Sequence, residues 1–199
     1  MPRAADRYCP TVTSFIKWIS EHMVYGLRQK KEELFLPSGK LDQYFMQAGR
    51  LRALVEEATR SGSADLHTIQ KGFIKIFTVL LWIGEGSYIE YFISYPDVLS
   101  DNQLPFVDRP KHFPWCPDSD FFEAFNNAQW QFCSPLFQYE RLQDTKYSDR
   151  VILPIGRFER IGDGGSAIVS KFELHPDHDS LKAGRKVIHQ RGLVSLVTD

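Results

Sequence analysis

From Thr11 to Tyr139 the apolar residues recur mostly at intervals of three and four. Phe15, Ile16 and Ile19 lead on to Met23 and Leu27, and Leu41, Tyr44 and Phe45 precede Leu51, Leu54 and Val55. That spacing puts one apolar stripe on each of several amphipathic helices. Ser61-Gly-Ser-Ala reads as a loop in which Ser63 caps a long helix through Leu66, Ile69, Phe73, Ile76, Phe77 and Leu80, ended by Gly84 and Gly86. A further helix is expected over Ser87 to Tyr95, stopped by Pro96, and another over Ser119 to Phe132, stopped at Ser134-Pro135. Between them, prolines at 105, 110, 114 and 117 predict an extended connector pinned to the helices by its aromatics.

After this region the period changes from that of a helix to that of a strand. Val151 to Ile155 and Phe158 to Ile161 are short, β-branched and aromatic, and Ile168, Phe172 and Leu174 share one face of an alternating run. The fold class expected is mainly α, with an N-terminal helical region followed by a short antiparallel β segment. The expected division is residues 1–145 helical, 151–181 strand-forming and 182–199 a flexible tail.

Composition narrows the classes. The 199 residues are 43% hydrophobic and 14% aromatic, enough for a sizeable core. The 24 basic and 25 acidic residues are mixed along the chain, for a formal net charge of −1. No global field favours nucleic acid or an anionic membrane. The most apolar stretch, Phe73 to Ile83, contains Lys75 and is about half as long as a membrane span requires. Cys9, Cys116 and Cys133 are odd in number and widely spaced, which with the absence of an apolar leader near the N-terminus points to an intracellular protein, cytoplasmic or nuclear.

The candidate chemistry lies in the glycine cluster of Ile161, Gly162, Asp163, Gly164, Gly165, Ser166, Ala167 and Val169. Glycines let the main chain fold closely over phosphate and offer it N–H groups. A dinucleotide fingerprint would need a helix after the glycines, where a strand is expected, and a Walker A loop would need a G-K-[ST] ending that is absent. Gly162, Gly164 and Val169 do fall in register with the G-x-G-x-x-G-x-V loop of protein kinases, Ala167 replacing the third glycine. A plain β-hairpin with a glycine-rich turn fits the same pattern.

Residues Phe35 to Leu41 (FLPSGKL), Lys75 to Gly84 (KIFTVLLWIG), Leu104 to Phe106, Ala128 to Phe137 (AQWQFCSPLF), Ile152 to Ile155 and Gly162 to His178 carry a wider likeness. Over these segments the chain resembles fungal protein-kinase-like proteins in which a helical N-terminal region precedes the kinase domain. The resemblance implies that 151–181 is the start of a kinase N-lobe, that Ile161 to Val169 contact ATP, and that magnesium enters only with the nucleotide. Complete members would phosphorylate protein Ser/Thr. The β3 lysine of V-A-x-K, the H-R-D aspartate and the D-F-G aspartate have no counterpart in this sequence. The expectation is therefore a truncated, pseudokinase-like chain with weak or vestigial ATP binding and no catalytic residues, its tail after Leu181 following a premature stop, altered splice or frame change. The alternative is a non-enzymatic helical module that binds a protein partner.

Other clusters read blandly. His175-Pro-Asp-His178 has metal-like spacing, but Pro176 makes it a turn with exposed histidines and no further ligands, so no metal site is assigned. Cys116 and Cys133 read as small buried hydrophobes. Phe121, Phe122, Phe125, Trp130, Phe132 and Phe137 read as core, and Arg28 to Glu33 as a solvated helix face or loop.

Overall fold

The computed structural model describes residues 10–59, 64–115, 120–138, 147–164 and 167–180, and of the strands spanning 157–171 it describes the backbone. The architecture is mainly α with short antiparallel β segments, as the sequence predicts. Two compact units are present. Among the described residues, one holds the helices, to Met23 and from Gly39 to Cys133, and the other holds the strands, Val24–Ser38 and residues of 134–180. The division falls at residues 23, 38 and 133.

In the helical unit, α1 (Pro10–His22), α2 (Lys40–Phe45) and α3 (Arg50–Ala58) bury the residues their spacing selects: Phe15, Ile19, Leu41, Tyr44, Phe45, Leu51, Leu54 and Val55. Phe15 packs its ring against Tyr44 and Phe45 at centroid distances of 4.7 and 5.5 Å. The exposed amides at the start of α1 are held from another helix: Thr11 and Val12 N–H donate to the Glu57 carboxylate at 3.0 and 2.9 Å. A negative charge there also meets the positive end of the helix dipole.

The long helix expected through Phe73 is two, α4 (Leu66–Gly72) and α5 (Ile74–Trp82). Asp65 caps α4, its carboxylate accepting from His67 N–H, while Ser63 lies outside the described residues. At Phe73 the backbone leaves the helical region, with φ −138°. The new N-terminus this creates is capped by Asp101, which accepts from Lys75 and Ile76 N–H at 3.0 and 2.9 Å. The break thus has a partner for its amides, which Phe73 itself could not provide. α5 buries Ile76, Phe77, Val79, Leu80 and Leu81, and the buried Thr78 hydroxyl returns to Ile74 O. It ends as expected at Gly84, whose φ of +79° lets Glu85 N–H reach back to Leu80 O.

Burial pushes the Asp101 carboxyl above its ordinary 3.8, outweighing the lowering by Ile76 and Lys75. A carboxyl that holds its proton more tightly when folded contributes most stability below 3.8 and loses it as pH rises through the raised value. Asparagine keeps an oxygen acceptor without the buried charge. Asp101→Ala is therefore expected to cost about 1–2 kcal/mol at neutral pH and Asp101→Asn much less. Wild type should also lose stability relative to Asp101→Asn as pH rises from about 3, measured by denaturant titration across pH.

A single turn of 3-10 helix at Gly86–Tyr88 leads into α6 (Ile89–Ile93), and Pro96 opens α7 (Pro96–Leu99). The proline-rich connector then crosses the unit without regular structure, its Leu104–Pro105 bond cis. Phe106 and Phe113 are buried against Phe92 and Phe125, as expected for an aromatic-pinned segment, whereas Trp115 is 73% exposed. α8 (Phe121–Gln129), capped by Asp120, buries Phe121 and Phe125 and continues as a 3-10 turn that buries Trp130 and Phe132. Gln129, fully buried, answers the connector's backbone: it accepts from Phe106 N–H and donates to Phe106 O, both at 2.8 Å, and donates to Asn126 Oδ1 at 2.6 Å.

The strand unit contains a hairpin where the sequence suggested helix. β1 (Val24–Arg28) pairs antiparallel with β2 (Lys31–Phe35), joined by Gln29 and Lys30 at φ +46° and +66°. Positive φ at both central residues is the turn whose twist suits a two-residue hairpin. Arg28 and Glu33 form an ion pair on the strands, which corrects the reading of that run as a helix face or loop. β1 pairs on its other side with Leu153 through reciprocal bonds, Leu27 N–H to Leu153 O at 2.8 Å and Leu153 N–H to Leu27 O at 2.9 Å. Gly26 lies at this contact: a Cβ there would sit 2.5 Å from Leu153 O and 2.8 Å from the Phe35 ring.

Candidate functional site

β3 (Ile155–Gly164) and β4 (Ala167–Leu174) form an antiparallel hairpin with the glycine cluster at its tip. Ile161, Gly162, Asp163 and Gly164 end β3, while Ala167 and Val169 begin β4; Gly165 and Ser166 lie outside the described residues. The register pairs Gly162 with Val169, Asp163 with Ile168 and Gly164 with Ala167. Six of the eight candidate residues are thus brought together on two paired strands.

Two irregularities shape the ladder. Between Arg160 and Gly162 strand β3 advances two residues while β4 advances one, and the same occurs between Ile155 and Arg157. Ile161 and Gly156 are the extra residues, and such bulges bend a strand and increase its twist. The residues after the glycines form a strand, so the segment lacks the strand-glycine-helix order that a dinucleotide fingerprint requires. Within 161–169 the sequence contributes one charge, that of Asp163, which disfavours an anion.

β4 runs directly into the turn at Pro176–His178, opened by His175, whose Nδ1 accepts from Asp177 N–H. The turn was expected, but its histidines are not exposed: His175 is half-buried and His178 is 1% exposed. His178 is enclosed because its ring bonds backbone on two sides, Ser38 N–H at 2.8 Å and Pro135 O at 2.8 Å, with the Phe35 ring edge-on at 5.3 Å. Partners 140 and 43 residues away leave no local signal in the sequence. Among the described residues no group of three His, Cys, Asp or Glu is placed to hold a metal ion.

In the helical unit, the Cys133 thiol is pushed up to about 12, chiefly by burial; Lys75 lowers it and Asp101 raises it. It is a neutral thiol at physiological pH and a poor nucleophile. Cys116 lies outside the described residues. Phe121, Phe125, Trp130, Phe132 and Phe137 are buried and Phe122 partly so, which matches the core reading.

The fold and site therefore define a mainly helical chain with a glycine-tipped β-hairpin. Among the described residues no helix is long and apolar enough to cross a membrane. Compared with family models, with curated proteins and with solved structures, the chain matches none of them.

Proposed function

We propose that the β3–β4 hairpin is a protein-kinase-like glycine loop with weak affinity for magnesium-ATP, in an intracellular chain that does not transfer phosphate by itself. The observation that carries this reading is the strand on each side of the glycines, with Gly162 opposite Val169 and Gly164 opposite Ala167. A kinase loop needs that antiparallel arrangement to lay its main chain over the triphosphate.

Two or three amide bonds to phosphate are worth roughly 1.5–3 kcal/mol each. Ordering the loop and the charge of Asp163 offset part of this, leaving about 4 kcal/mol, a dissociation constant on the order of 1 mM. Catalysis requires at least about 8 kcal/mol of transition-state stabilisation. In kinases the lysine, the base aspartate and the metal-binding aspartate supply most of it, and these 199 residues lack all three.

The expected results are weak magnesium-dependent ATP binding by calorimetry, at least tenfold weaker binding in a Gly162→Val, Gly164→Val double variant, and no phosphorylation of a generic protein substrate. Binding unchanged by the double variant would overturn the reading.

A second reading, a helical module for a protein partner, is favoured by Met46 and Trp115, which are 82% and 73% exposed on the helical unit. Under it, substitutions on the helical surface would alter activity and substitutions at the glycines would not.

A further inference from the structure

We propose that His178 is a proton-sensitive latch within the strand unit, closed when the imidazole is neutral and opened when it takes a second proton. The ring is 1% exposed and sits between two backbone groups of opposite character. Ser38 N–H points at Nε2 at 2.8 Å, so Nε2 must accept. Pro135 has only its carbonyl to offer Nδ1 at 2.8 Å, so Nδ1 must carry the proton. The geometry thus selects the neutral Nδ1–H tautomer.

A proton added at Nε2 would set one N–H against another and remove the acceptor that Ser38 uses. The chain on both sides of the ring depends on that acceptor. Ser38 closes the segment Leu36-Pro-Ser that follows β2, and Pro135 precedes Phe137, which bridges to the His178 turn through Phe137 N–H to His178 O at 2.9 Å and Ser180 N–H to Phe137 O at 3.0 Å.

Among the described residues, the ionisable groups around the ring can be named by element. Leu36 to Ser38 and Ser134 to Phe137 carry none. β2 presents Phe35 to the ring and has Glu33 two residues earlier, on the same side of the strand and paired with Arg28. The turn itself carries His175, whose ring centroid is 6.0 Å away, with Asp177 and Asp179. The hydrogen-bond requirement at Nε2 holds whatever these charges do, because it is set by a main-chain donor that cannot titrate.

Acidification below the range in which free imidazole titrates, about pH 6.5, is expected to release Ser38. In the full chain, Ser38 amide protection against hydrogen exchange, corrected for the intrinsic pH dependence, should fall by up to about tenfold per pH unit below that range, while the closed ring stays neutral and the opened ring takes the proton. His178→Gln can both donate and accept at this site and does not titrate, so its Ser38 protection should stay flat with pH. Equal pH dependence in the two proteins would overturn the proposal. Nitrogen-15 shifts of the wild-type ring provide the second test, independent of whether the variant folds. A protonated Nδ1 beside an unprotonated Nε2 at neutral pH is expected, and a protonated Nε2 at neutral pH would overturn the latch.

Discussion

Replacing Gln129 with leucine is expected to destabilise the helical unit by roughly 2–6 kcal/mol. The side-chain amide is fully buried and bonds both the N–H and the C=O of Phe106, acting as a strand partner for a connector that has none. Leucine fills the space but leaves both groups dry and unpaired, at roughly 1–3 kcal/mol each. Asn126 loses its partner as well. The sum is a large share of the about 5–15 kcal/mol that holds a typical domain together. Gln129→Glu should also destabilise, since it keeps an acceptor for Phe106 N–H but removes the donor for Phe106 O and buries a charge. Denaturant titration followed by tryptophan fluorescence checks this, and a loss under about 1 kcal/mol for leucine would mean the amide pairing contributes little.

The second large effect is expected at Gly26 in the strand unit. An added Cβ would lie 2.5 Å from the Leu153 carbonyl oxygen and 2.8 and 2.9 Å from two atoms of the Phe35 ring. The first neighbour is backbone, held by its own bond from Leu27 N–H, and cannot swing away as a side-chain tip could. Gly26→Ala should therefore part Leu153 from β1 and cost about 1–3 kcal/mol or more. The faster amide exchange should appear first at Leu27 and Leu153, which exchange bonds across this contact. Gly39→Ala is the comparison: nothing lies within 4 Å of its would-be Cβ, so its penalty comes only from a backbone φ of +82° and should be about 1 kcal/mol.

These positions illustrate what the sequence could and could not disclose. Local periodicity selected the buried faces of α1, α2, α3 and α5, because each of those helices turns a regular apolar stripe inward. Gly84 marked the end of α5 for a reason within one turn of it. The hairpin of β1 and β2 was hidden because Met23 and Leu27 continue the helical spacing from Ile19, and its turn uses Gln29 and Lys30 instead of the Asn-Gly or Gly-Gly that would announce it. The break between α4 and α5 was equally hidden, since the carboxylate that caps α5 comes from Asp101, 25 to 26 residues along the chain from the amides it meets.

At the candidate site the strands on either side of the glycines were legible from alternation, and the bulges at Gly156 and Ile161 were not. One residue of register leaves no mark on the hydrophobic pattern until the partner strand is known. The burial of His178 was likewise decided by Ser38 and Pro135, which no local reading of the His175-Pro-Asp-His178 turn could supply.

The central claim is that the glycine hairpin meets nucleotide phosphate through its main chain. A titration of nitrogen-15-labelled protein with magnesium-ATP, read amide by amide, tests it most directly. The predicted result is a saturable shift confined to Ile161 to Val169 and their strand neighbours, reversed by excess unlabelled nucleotide and absent from the Gly162→Val, Gly164→Val variant. Unshifted amides along the hairpin at several millimolar nucleotide, or shifts confined to the helical unit, would contradict it.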